Sequence, residues 1–174
     1  VGLFWAIGVV AEIVLFAASP TVAKVLSPPL LLWVGGVAGA LRWSIMSMCD
    51  VLPLPLMAAN QVLHAFTFGA VHLGAMGFLA VAPPPTLRST AQGTYGAMTD
   101  GVMMGLMTTI FAALFSQYKA KAFLAAGALS AVGSVGALVL SRVWTGTQLE
   151  IATEDTLPVA DNDGRATTVV SAAA

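Results

Sequence analysis

Apolar residues run along this chain in five long blocks, broken at short joints rich in proline, small or charged residues. A helix needs about 20 apolar residues to cross a hydrocarbon core of ~30 Å. The pattern therefore predicts five membrane-spanning helices, at approximately residues 1–19, 30–48, 56–81, 89–115 and 122–144. The joints read Ser19-Pro20, Ser27-Pro28-Pro29, Pro53-Leu54-Pro55 and Pro83-Pro84-Pro85. Proline removes a backbone donor and drives the residue before it out of the helical region, so each is a credible boundary. The joint over 117–121 has no proline but carries Lys119 and Lys121. After Trp144 the character changes. Residues 145–174 hold Glu150, Glu154, Asp155, Asp161 and Asp163 with little apolar periodicity, the signature of a disordered, water-exposed acidic tail.

Composition agrees with a lipid setting. Of the 174 residues, 58% are hydrophobic and 9% are charged, against about 25% charged in soluble domains. Mean hydropathy is +0.89. The net charge of −1 and the absence of any basic cluster give no reason to expect nucleic acid. A lone cysteine, Cys49, excludes an intrachain disulfide and any multi-cysteine metal centre. No zinc-binding His-Glu-x-x-His motif occurs, and neither a metal nor a cofactor is expected. Val1 already lies within an apolar block, with no charged region before it and no small-residue cleavage site close after it. That is not a signal peptide. It reads as a fragment lacking its N-terminal part. Small residues four apart, Gly35 with Gly39 and Gly101 with Gly105, are spaced for close helix packing in lipid.

Three blocks each contain an ionisable residue deep inside: Glu12, Arg42 and His64. A charge at the bilayer centre costs roughly 2.5–3.5 kcal/mol on insertion scales, so such residues mark solute or proton pathways by default. At ~1.5 Å per residue, Arg42 lies about 18 Å from one boundary of its span and His64 about 12 Å from the other, nearly one level. Glu12, about 10 Å in, is near enough to share a central cavity with both. Glu12 and Arg42 read as a charge pair that opens or recruits a solute, and His64 as a proton-sensitive neighbour, because imidazole ionises near neutral pH. The structural alternative is a salt bridge between packed helices beside a satisfied core histidine. Asp100 is a further interior charge, with a basic residue outside this chain, or nearby backbone and Thr99, as its partner. The third block is the most polar, with Asn60, Gln61, His64, Thr67 and His72, and is expected to face protein or water. Gln61, Thr67, Trp43 and His72 are secondary candidates; for Trp43 packing is the alternative role, and for His72 a structural one.

The marks in order are Ala11-Glu12-Ile13-Val14, Ala40-Leu41-Arg42-Trp43 and Gln61-Val62-Leu63-His64-Ala65-Phe66. Over residues 1–144 they resemble the C-terminal half of a major facilitator superfamily transporter, in the branch that holds lactose permease and the phenylpropionate permeases. The tryptophan after Arg42 and the string LHAFTFGAVHLGAM look more like the phenylpropionate type. The resemblance implies an all-α integral membrane bundle: five transmembrane helices, eight to twelve, of a twelve-helix major facilitator fold. The corresponding helices of lactose permease carry a glutamate, an arginine and a histidine in this order. Its histidine is followed three residues later by a carboxylate that couples protons; here Thr67 stands in that place. Any proton role then falls to Glu12, to Asp100 or to the missing half.

The function expected is secondary active transport of a small organic solute, an aromatic acid or a sugar, by alternating access with proton symport. Arg42 suits an anion, because its planar fork matches a carboxylate. The expected partners are that solute, protons, the lipid bilayer and the missing N-terminal half. The expected place is a bacterial inner membrane with a cytoplasmic C-terminus. Lys24, Arg88 and Arg142 lie at one side of the zigzag and Lys119 and Lys121 at the other, a slight positive-inside majority for that orientation. The competing classes are a structural membrane subunit and an intramembrane enzyme. No serine sits in a Gly-x-Ser-x-Gly elbow, and an enzyme is not expected.

Overall fold

The computed structural model describes residues 2–149 and the backbone pairs at 159–160 and 166–167. The first block forms α1 (Gly2–Ala17), which runs into the short α2 (Ser19–Val25) through a bend of 65°. Pro20 lies in the first turn of α2, where its missing N–H costs nothing, so the chain bends there and remains helical beyond the boundary expected at residue 19. The second block is α3 (Pro28–Met46), opened by Pro28 and Pro29. The third is a continuous helical run over 54–81 whose α geometry is interrupted by a 3-10 turn and a π segment. It comprises α4 (Leu54–Asn60), a 3-10 turn (Gln61–Leu63), a π-helical segment (Ala65–Ala70) and α5 (Val71–Val81).

The remaining helices form one long arm and its return. The arm is α6 (Arg88–Gly96), a second π segment (Ala97–Met103) and α7 (Met104–Tyr118). A 3-10 turn (Lys119–Ala122) then leads into α8 (Phe123–Val143). Lys119 carries φ 50°, ψ −132°, a conformation that stops the helix. The Phe115 and Phe123 rings meet at 6.0 Å, so the chain folds back at this turn. At the far end of α8, Trp144 packs edge-on against Phe78 at 5.0 Å, and Leu149 N donates to Ala82 O at 2.8 Å. The end of α8 therefore lies beside the end of α5, where α6 begins. Three helical runs (28–46, 54–81 and 85–143) are long and apolar enough to cross a membrane, and the bent pair α1–α2 makes a fourth. The last run has 59 residues and contains both the outward and the return pass around Lys119.

Packing is the reverse of a soluble core. The buried positions are mostly small: Gly8, Gly35, Ala38, Gly39, Ala65, Ala70, Gly74, Ala75, Gly127 and Ala137. Trp5, Val10, Ile13, Val14, Val132 and Val139 are exposed instead. Lipid tails give no hydrophobic drive between helices, so close approach of backbones replaces bulk. Helix α3 is central, packing on α8 along its length and on α5, while α1 lies against the 3-10 and π turns. The two glycine pairs differ. A Cβ at Gly35 would collide with the Val71 side chain, and one at Gly39 would meet Ser130 at 2.8 Å, whereas at Gly101 and Gly105 it would meet nothing among the described residues.

Part of the expected acidic tail is described. The indole of Trp144 donates to Thr147 O at 2.9 Å, and Val159–Ala160 pairs antiparallel with Ala166–Thr167. The remaining residues for which disorder was expected lie outside the described ones.

Candidate functional site

The site is built around the Arg42 guanidinium, which projects from the last turns of α3 toward the run over 54–81. Nη2 donates to Gln61 Oε1 at 3.2 Å, and Nη1 to Thr67 Oγ1 at 3.1 Å. Nη1 also meets His64 Nδ1 at 3.3 Å. In a 3-10 turn, side chains three apart eclipse, and this is how Gln61 and His64 come to address one guanidinium. The π turn then presents Thr67, whose hydroxyl donates to His64 O at 3.2 Å. Gln61 is buried and oriented, its Nε2 donating to Met57 O at 3.2 Å. Asn60, also buried, donates to Arg42 O at 3.3 Å and fastens the two helices together.

Arginine can only donate, so His64 Nδ1 accepts and the imidazole proton is assigned to Nε2. That nitrogen approaches Glu12 Oε2 of α1 at 3.4 Å. The order across the site is Glu12, His64, Arg42. Sequence reasoning set Glu12 and Arg42 against each other directly; the structure interposes His64. Axial depth was readable from residue counts, but the rotation that decides which of three neighbours lies between the others comes from packing. Gly8 allows the close approach, since a Cβ there would stand 3.2 Å from the His64 ring.

The charge balance is uneven. Among the described residues Arg42 has three neutral acceptors and no carboxylate within ion-pair distance. Its Nε is buried and has no hydrogen-bond partner among the described residues. Trp43 packs with the guanidinium 4.7 Å above its ring and stacks on Phe123 at 5.6 Å with planes 7° apart. Arg42, His64, Thr67 and Phe68 open onto a cavity of about 540 Å³ between α3, the π segment and α8, which Gly39 and Ser130 help to line.

The other candidates lie apart. Asp100 sits exposed on the second π segment, with Thr99 Oγ1 at 3.4 Å as its contact. His72 is exposed two turns beyond His64, with Phe16 edge-on at 6.1 Å. No cluster of three or more metal-ligating side chains occurs among the described residues. Two residues of the site were not among the sequence candidates, although Asn60 was read as part of the polar third block. Asn60 carried a signal in its polarity next to Gln61. Phe68 carried one in its spacing, four residues from each histidine.

A helix bundle with small residues inside, large apolar ones outside and a part-buried guanidinium–imidazole–carboxylate group between its helices is that of an integral membrane protein. The chain belongs to the MFS_1 like family, a membrane transporter family of the major facilitator superfamily, whose model matches residues 1–126. It is 34% identical over 118 residues to the Probable 3-phenylpropionic acid transporter of Escherichia coli (strain K12). That alignment covers 68% of this chain and 30% of the relative, so the chain spans about a third of the protein it matches. No solved structure matches the chain.

Proposed function

We propose that this chain forms the C-terminal, substrate- and proton-handling part of a secondary transporter that moves a small aromatic carboxylate by proton symport. The observation that carries the reading is the Arg42 guanidinium, placed among neutral acceptors with its Nε unpartnered. A cation in a low-dielectric site calls for an anion, and a planar fork favours a carboxylate. The name of the relative gives the aromatic acid its place in this proposal. The opposite wall of the cavity would come from N-terminal helices, as midplane binding between repeats requires.

The proton step follows from the tautomer. With His64 neutral, Nδ1 holds one arm of Arg42 and Nε2 faces Glu12. Protonation at Nδ1 turns that acceptor into a donor, and the guanidinium must release it. Arg42 is then free to take the carboxylate, while Glu12 balances the imidazolium. Departure of the substrate returns Arg42 to Nδ1 and expels the proton. Glu12 supplies the counter-charge because its carboxylate lies 3.4 Å from His64 Nε2, whereas Thr67 carries no charge and Asp100 lies elsewhere. We place the protein in a bacterial inner membrane with its C-terminus in the cytoplasm. Arg88 and Arg142 lie at the end where α5 and α8 finish, and the lysines of the α7–α8 turn at the other.

The test uses the full-length transporter in proteoliposomes with an imposed pH gradient. Wild type is expected to accumulate 3-phenylpropionate, and Arg42→Gln to lose uptake. Glu12→Gln is expected to keep downhill exchange and lose pH-driven accumulation. Unaltered accumulation by Glu12→Gln removes the proton role; unaltered uptake by Arg42→Gln removes the carboxylate role.

A further inference from the structure

We infer that Phe68 is the specificity-determining residue that makes this site prefer an aromatic over an aliphatic acid. The inference rests on the proposed carboxylate role of Arg42 and assigns the other end of the substrate. Phe68 lies on the π segment, four residues after His64. Its ring is 5.8 Å from the imidazole, with planes 21° apart. His72 continues the series at 6.2 Å and 11°. Three flat side chains thus stand in near-parallel planes up one helix face, beginning at the imidazole that touches Arg42.

Phe68 differs from His72, which is also exposed, in lining the cavity beside Arg42, and from His64 in having no polar partner. It is 49% exposed, and the space it faces is the cavity that Arg42, His64 and Thr67 also line. Phe68 shares this cavity with the guanidinium, and its exposed face is available to a planar ring. Trp43 does not offer the same surface. Arg42 lies over its ring and Phe123 stacks on it at 5.6 Å. Aromatic pairs prefer offset or edge-on contact with centroids about 4.5–7 Å apart. A substrate whose carboxylate engages Arg42 and whose ring follows on a short linker passes His64 and reaches Phe68. Hexanoate, with an alkyl chain of similar reach, is smaller and has no flat face to set against Phe68.

The experiment compares Michaelis constants for 3-phenylpropionate and hexanoate in proteoliposomes of the full-length transporter. Phe68→Ala is expected to raise the phenylpropionate constant relative to the hexanoate constant by roughly 3- to 10-fold. Phe68→Trp, which keeps a π face, is expected to keep the preference. Phe68→Leu keeps apolar bulk and loses the face; it should behave as alanine does, and it decides the matter if the alanine variant does not reach the membrane. An unchanged ratio in Phe68→Ala or Phe68→Leu, or equal rises for both acids, overturns the inference and leaves the Arg42 reading intact. A wild type that moves neither acid overturns both.

Discussion

The packing of α3 on α8 fixes where Arg42 stands, and one methyl group tests it. In Gly36→Ala the added Cβ would lie 2.7 Å from Ser134 Cβ and 2.9 Å from both its Cα and its backbone nitrogen, against 3.4 Å for ordinary contact. Two of these three atoms are backbone, so no rotamer change relieves the overlap. The helices must separate, and a gap of even 0.5–1 Å forfeits a quarter to a half of each contact's attraction. Overpacking of this kind costs about 1–3 kcal/mol, less a gain of up to ~1 kcal/mol from exchanging glycine for alanine in a helix. Gly105→Ala is the control, since a Cβ there meets nothing within 4 Å. Thermal unfolding in detergent should therefore lower the midpoint for Gly36→Ala and leave it level or higher for Gly105→Ala. Because α3 carries Arg42, uptake should fall with stability in the first variant alone. Equal midpoints for the two variants would refute the claim that α3 and α8 are in backbone contact.

Two further outcomes follow. Thr67→Glu places a carboxylate where a hydroxyl now takes Arg42 Nη1 at 3.1 Å, so it should compete with an anionic substrate and abolish most uptake, as initial rates would record. Lys119→Gly relieves a backbone conformation that costs other residues about 1–3 kcal/mol, so the unfolding midpoint should rise without any change in transport.

That the apolar blocks form helical runs of membrane-crossing length was legible because crossing lipid imposes a length, and composition alone satisfies it. The reversal at Lys119 was legible as a charged joint, although the backbone that makes it was not. What escaped the sequence is whatever depends on rotation about a helix axis. Gly35-Gly39 and Gly101-Gly105 have the same spacing, yet only the first pair meets another helix. Likewise Glu12, His64 and Arg42 could be assigned a level but not an order. The change from 3-10 to π geometry across Gln61–Ala70 has no local residue code. It accompanies the convergence of Gln61, His64 and Thr67 on a side chain from another helix.

The hydrogen bond from Leu149 to Ala82 has a practical bearing on how topology can be mapped. It anchors the chain's exit to the rim where α5 ends and α6 starts, within a few residues of Arg88. A fluorescent or protease-cleavable tag inserted directly after Leu149 would hence leave the molecule beside that rim. Its accessibility from either compartment would report the sidedness of the α5–α6 joint and of the end of α8 at once.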